Sequence, residues 1–156
     1  MTQDMSWPDV SGRLIEDAEG PCHQLPVRVY FEDTDAGGVV YHASYVRFCE
    51  RGRTDYLRLL GIDARAMITG EAVNGPAVFV VRRMSLEFLR PARMDDLLLV
   101  KTRVKEIGGA SLTLTQEVSR DGRPVFSAEV VVVLVSVAGK PMRLTDMMRG
   151  AFRARA

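Results

Sequence analysis

The chain has 156 residues, 47% of them hydrophobic and 26% charged, which is the balance of a single globular domain with a real core. Its 21 basic and 20 acidic side chains leave a formal net charge of +1. A protein that lives on phosphate-backbone contacts is far more basic, so nucleic acid is not an expected partner. The two cysteines, Cys22 and Cys49, are too few for a disulfide scaffold and read as free thiols in a reducing compartment. The first residues are polar and acidic, unlike a signal peptide. The longest apolar run, Val130 to Val137, is too short for a bilayer span. The composition therefore predicts a cytoplasmic chain without stable membrane insertion.

Residues 1–24 mix Asp, Glu, Gly, Pro and Ser with little periodicity and predict an irregular extension outside the core. The domain is expected to occupy 25–156. Val27, Val29 and Phe31 alternate with Arg28, Tyr30 and Glu32 as in a half-buried strand, which runs into the turn-forming Asp33 to Gly38. The period then changes to that of a helix. Tyr45, Phe48, Cys49, Gly52, Tyr56, Leu59 and Leu60 form one stripe, while Arg47, Glu50, Arg51, Asp55 and Arg58 fall on the other face. A helix over about 43–60 follows, with Ser44 as N-cap and Gly61 just past the end. Gly52 inside it predicts close packing on a sheet. Asp63 caps a second short helix ending near Gly70.

From Pro76 onward the pattern is strand, over about 76–90, 96–107, 110–120 and 124–137. Gly108-Gly109 and Asp121-Gly122 mark hairpin turns. Val130 to Val137 lacks polar alternation and predicts a strand covered on both faces. Thr145 begins a short terminal helix. Five antiparallel strands and one long helix make an α+β architecture. An exposed sheet edge then calls for a second subunit.

Chemistry concentrates in Tyr30-Phe31-Glu32-Asp33-Thr34-Asp35-Ala36-Gly37-Gly38-Val39-Val40-Tyr41-His42-Ala43-Ser44-Tyr45. Two aspartates, Asp33 and Asp35, and a histidine precede or begin a helix whose first N–H groups are unpaired and partially positive. Such a start suits a carbonyl oxygen that becomes an anion. Asp35 can supply a base or nucleophile, and His42 can position a proton. The same residues would equally serve as an Asp-rich turn with a histidine at the edge of the core. A calcium loop starting at Asp33 fails at Gly37 and Ser44, where oxygen ligands belong. A phosphatase motif would place Thr or Val at Gly37. A metal site lacks ligands, because His23 and His42 are the only histidines and Cys22 adjoins His23. Neither a metal nor a cofactor is expected.

The run Tyr30 to Tyr45, with Val46-Arg47-Phe48-Cys49-Glu50-Arg51-Gly52-Arg53-Thr54, closely resembles the hotdog-fold acyl-CoA thioesterases. The nearest branch is the Tol–Pal-associated YbgC type, related to 4-hydroxybenzoyl-CoA thioesterase. Residues Phe79 to Phe88 and Pro91 to Asp96 resemble that branch too, so the likeness covers about 26–137. It implies a long central helix wrapped by an antiparallel sheet, with sheets joined across a homodimer and dimers often paired into a homotetramer. It implies hydrolysis of acyl-CoA thioesters in a cleft between subunits, with Asp35 catalytic and the His42 backbone N–H polarising the carbonyl. The His42 side chain is implicated as well. The branch can carry Tyr where this chain has Phe31, so that hydroxyl is missing.

Whether Asp35 activates water or attacks directly stays open. Asp33 is expected to hold the turn through backbone N–H groups. Arg82, Arg83 and Arg90, with Arg93, are candidates for the coenzyme A phosphates. Cys49 lies on the apolar stripe and is expected to be inert. Acyl carrier protein is a further partner the resemblance suggests. The alternative function is a non-catalytic module that binds acyl chains or acyl carrier protein on the same fold.

Overall fold

A computed structural model describes residues 9–71 and 75–154. The first eight residues of the expected extension and the last two of the domain lie outside that range. Six strands form one antiparallel sheet in the order β1-β2-β4-β5-β6-β3. They are β1 (Arg13–Asp17), β2 (Gly20–Arg28), β3 (Ala77–Phe88), β4 (Leu97–Ile107), β5 (Ser111–Arg120) and β6 (Arg123–Ser136). The long helix α1 (His42–Leu59) lies on one face, chiefly against β4 and β2. Among the described residues there are also two short helices, α2 (Ala64–Thr69) and α3 (Asp146–Arg153).

The sheet has six strands where the sequence suggested five. Residues 13–24, expected to be irregular, instead form β1 and most of β2. His23, Leu25 and Val27 of β2 face inward opposite Thr102, Val100 and Leu98 of β4. The inward positions of this strand begin with a histidine, which hides the alternation from a hydrophobicity reading. The strand ends at Arg28, and Phe31–Asp33 is a single 3-10 turn.

Helix signals held well. The Asp63 side chain accepts the Arg65 N–H at the start of α2, and Gly70 closes it in the left-handed conformation at φ 85°. Thr145 caps α3 by accepting from the Met148 N–H. The start of α1 differs from expectation. Tyr41 is its N-cap and makes no side-chain cap, while Ser44 sits inside the first turn and donates to the Asp33 carbonyl at 3.1 Å. Asp55, expected on the solvated face, is buried, and so is Arg53.

Asp121 and Gly122 both have positive φ, 50° and 75°. That is the geometry of a tight two-residue hairpin turn, and it sets Arg120 opposite Arg123. On β6, Val130, Val132 and Leu134 are buried against the helix layer, whereas Val131, Val133 and Val135 are only half-buried. The expected cover on both faces is therefore not made within the chain, because among the described residues no second layer lies on the outer side.

Candidate active site

The loop between β2 and α1 is held by its own backbone. Asp33 is buried, and its carboxylate accepts the Tyr30 N–H at 2.8 Å, while its carbonyl accepts the Tyr41 N–H at 2.8 Å. Asp33 thus closes the turn and docks it on the helix start. Asp35 is tied differently. Its N–H donates to the Val39 carbonyl at 2.9 Å and its carbonyl accepts from Gly38 at 3.0 Å. Gly38 takes a φ of 77° to make this possible. The Asp35 side chain is exposed and Oδ1 accepts the Gly37 N–H at 2.8 Å. A Cβ on Gly37 would stand 3.1 Å from that oxygen, so this position is crowded for any larger residue.

The loop that follows β3 frames the other side. Val40 donates to the Ala92 carbonyl at 2.8 Å, and Val39 bridges to Arg93. Asp96 accepts the Arg93 N–H and the Arg120 guanidinium, both at 2.8 Å. These bonds outweigh the burial that would raise its pKa and hold the carboxyl below the usual range.

His42 is the first residue of α1 and is exposed. Its ring lies 4.4 Å from that of Tyr41 and meets Phe88 edge-on at 6.3 Å. Phe88 in turn packs on Phe126 and Tyr45. Among the described residues, the backbone N–H groups of His42 and Ala43 have no acceptor, as a helix start requires. Asp35 Oδ2 has no donor. An exposed carboxylate oxygen and a pair of unpaired N–H groups therefore belong to one continuous turn. Such a pair of N–H groups can accept a carbonyl oxygen that gains negative charge.

The three arginines singled out from the sequence are not brought together. Arg82 and Arg83 are exposed at an irregularity midway along β3, about 20 Å of strand from Phe88 at 3.3 Å per residue. Arg90 donates to the Pro124 carbonyl at 2.5 Å. With Arg120, Arg123 and Asp121 it surrounds a concavity of about 310 Å³. Arg120 and Arg123 were missed, though they flank the Asp121-Gly122 turn on which any basic pair meets at a hairpin end. Cys49 is buried, which pushes its thiol up to about 12, and it is no nucleophile. Among the described residues, no three His, Cys, Asp or Glu side chains gather as a metal site would need.

Residues 37–127 match the model of the thioesterase superfamily. The chain belongs to that superfamily. Its hotdog fold is therefore the one this family builds on a long helix and an antiparallel sheet. It is 44% identical to the acyl-CoA thioester hydrolase YbgC of Escherichia coli O6:H1, over 82% of this chain and 93% of that protein. Against the acyl-CoA thioesterase YbgC of Haemophilus influenzae it is 40% identical, over 82% and 92%. The crystal structure of a probable thioesterase from Bartonella henselae superposes with a TM-score of 0.77 at 40% identity, covering 80% of this chain and 99% of that one. No helix among the described residues is long and apolar enough to cross a membrane.

Proposed function

We propose that this thioesterase hydrolyses acyl-CoA thioesters, with the carbonyl oxygen held by the N–H groups of His42 and Ala43 and Asp35 acting on the carbonyl carbon. The observation that carries the reading is the exposed Asp35 carboxylate on the turn that leads into an unpaired helix start. As attack proceeds, negative charge builds on oxygen, and dipoles already aimed at it stabilise that charge without reorganising. Asp35 takes a proton from water, or attacks and forms an anhydride that water then opens. The C–S bond breaks and the thiolate leaves, gaining its proton from solvent or His42. Tyr41 and Phe88 hold the His42 ring in place for that role.

Arg90, Arg120 and Arg123 suit the coenzyme A phosphates, since they gather at one concavity and Arg90 follows two residues after Phe88, whose ring meets His42. Arg82 and Arg83 instead sit mid-strand. The β3 edge is unpaired and exposes Val80, Val81 and Phe88, so a homodimer through β3 completes the sheet. Pairing two such dimers over Val131, Val133 and Val135 would give a homotetramer. Acyl carrier protein would deliver the same thioester to the same basic rim. Both cysteines are free and buried, which suits the cytoplasm. The test is release of free thiol from a panel of acyl-CoAs. Turnover supports the reading, and binding without turnover would make the chain a non-catalytic acyl-binding module.

A further inference from the structure

Beneath the C-terminal half of α1 lies a second cavity, of about 110 Å³. Leu57, Phe79, Leu112, Leu114 and Val132 make its apolar walls, and Glu50, Arg53 and Thr54 border it from the helix. Arg53 is only 9% exposed. Its guanidinium spends one N–H on Gln116 Oε1 at 2.9 Å. Among the described residues no carboxylate lies within ion-pair distance of it. The neighbouring acid, Glu50, accepts instead from the Thr54 hydroxyl at 2.6 Å. Burial pushes the Arg53 pKa down, against the weaker upward pull of Cys49 and Glu50. A buried guanidinium with no carboxylate in contact, beside a mostly apolar cavity, is costly unless an anion meets it there. Its planar fork fits a carboxylate.

We infer that this cavity takes the far end of the acyl group, and that this end carries a carboxylate received by Arg53. The inference rests on the thioesterase reading and on the pairing of β3 edges proposed above. Arg53 lies eleven residues beyond His42 on α1, about 16 Å along the axis at 1.5 Å per residue. A five-carbon acyl group spans only about 7 Å, the length of two extended residues, so it cannot join both sites of one subunit. Antiparallel pairing of two copies of β3 about its midpoint sets the Phe88 end of one strand beside the Ala77 and Phe79 end of the other. The reacting end beside His42 of one copy then faces the cavity of the other. Size limits the chain, because an apolar cavity of about 150 Å³ takes benzene and this one is smaller. The substrate class is therefore a short dicarboxylic acid held as its mono-CoA thioester.

The experiment compares glutaryl-CoA with hexanoyl-CoA, of similar length, on the full chain and two variants. Wild type should favour glutaryl-CoA by at least about tenfold in kcat/KM, the scale of a charged hydrogen bond. Arg53→Met should bring that ratio to one or below, and Arg53→Lys should keep part of it. If Arg53→Met does not fold, Leu114→Phe fills the cavity and should shorten the longest diacid thioester accepted. Hydrolysis of both substrates without preference, or a preference that survives Arg53→Met, overturns this inference and leaves the thioesterase reading standing. Failure to hydrolyse either thioester, or any other acyl-CoA, overturns both.

Discussion

His23 is fully buried, and its Nε2 lies 2.6 Å from Asp55 Oδ2, which also accepts the Gly12 N–H at 2.8 Å. Arg58 binds the other carboxylate oxygen at 3.0 Å. This contact fastens the chain leading into β1, and the middle of β2, onto α1. The imidazole Nδ1 has no partner among the described residues, so protonating it would bury an orphan N–H. Burial accordingly depresses the His23 pKa, although Asp55 pulls the other way. The sign follows. The unfolded chain binds a proton at its ordinary value near 6.5 while the folded one does not, so stability is full above that pH and falls as pH drops below it. Thermal midpoints should decline between pH 7 and pH 5, and His23→Gln should flatten that slope. A wild-type midpoint that is unchanged over this range would contradict the assignment. At this scale the turn that holds Asp33 and Asp35 was legible, because its hydrogen bonds are local in sequence. Arg53 and Asp55 were not, since a buried charge and a solvated one occupy the same helical positions until the sheet is placed.

Gly52 is where the main helix touches the sheet. A Cβ there would stand 2.9 Å from Val100 Cγ1 and 3.2 Å from Thr102 Oγ1. Alanine favours a helix interior by about 1 kcal/mol, but overpacking a rigid β-branched neighbour costs about 1–3 kcal/mol. Gly52→Ala should therefore lower the thermal midpoint by a few degrees. Gly150 in α3 has nothing within 4 Å of its Cβ position, so Gly150→Ala should raise it. Midpoints that move in the same direction would contradict this account of the helix–sheet contact. The helices were readable because caps and stripes are local signals, as Asp63, Gly70 and Thr145 show. The strand pair β1–β2 was not, because its stability comes from pairing with β4 and from the His23–Asp55 contact.

The whole molecule leaves one apolar edge strand open at β3, and the proposed His42 and Arg53 ends of the site lie farther apart on α1 than a short acyl group reaches. Both features point to a second copy. Sedimentation at micromolar concentration should show a dimer or larger, and a folded, active monomer would contradict the β3 pairing. Order along the chain was enough to read the α+β architecture. How subunits meet was not readable, because register between two sheets depends on the shape of the edge and not on any motif. The proposed chemistry turns on Asp35, whose position is set by the backbone of its own loop and not by its charge. Asp35→Asn preserves size and can still accept the Gly37 N–H, yet removes the base or nucleophile. Thiol release from acyl-CoA should fall at least about a hundredfold, the low end of what a positioned base contributes, with the thermal midpoint nearly unchanged. An Asp35→Asn enzyme that keeps near-normal turnover would contradict the account.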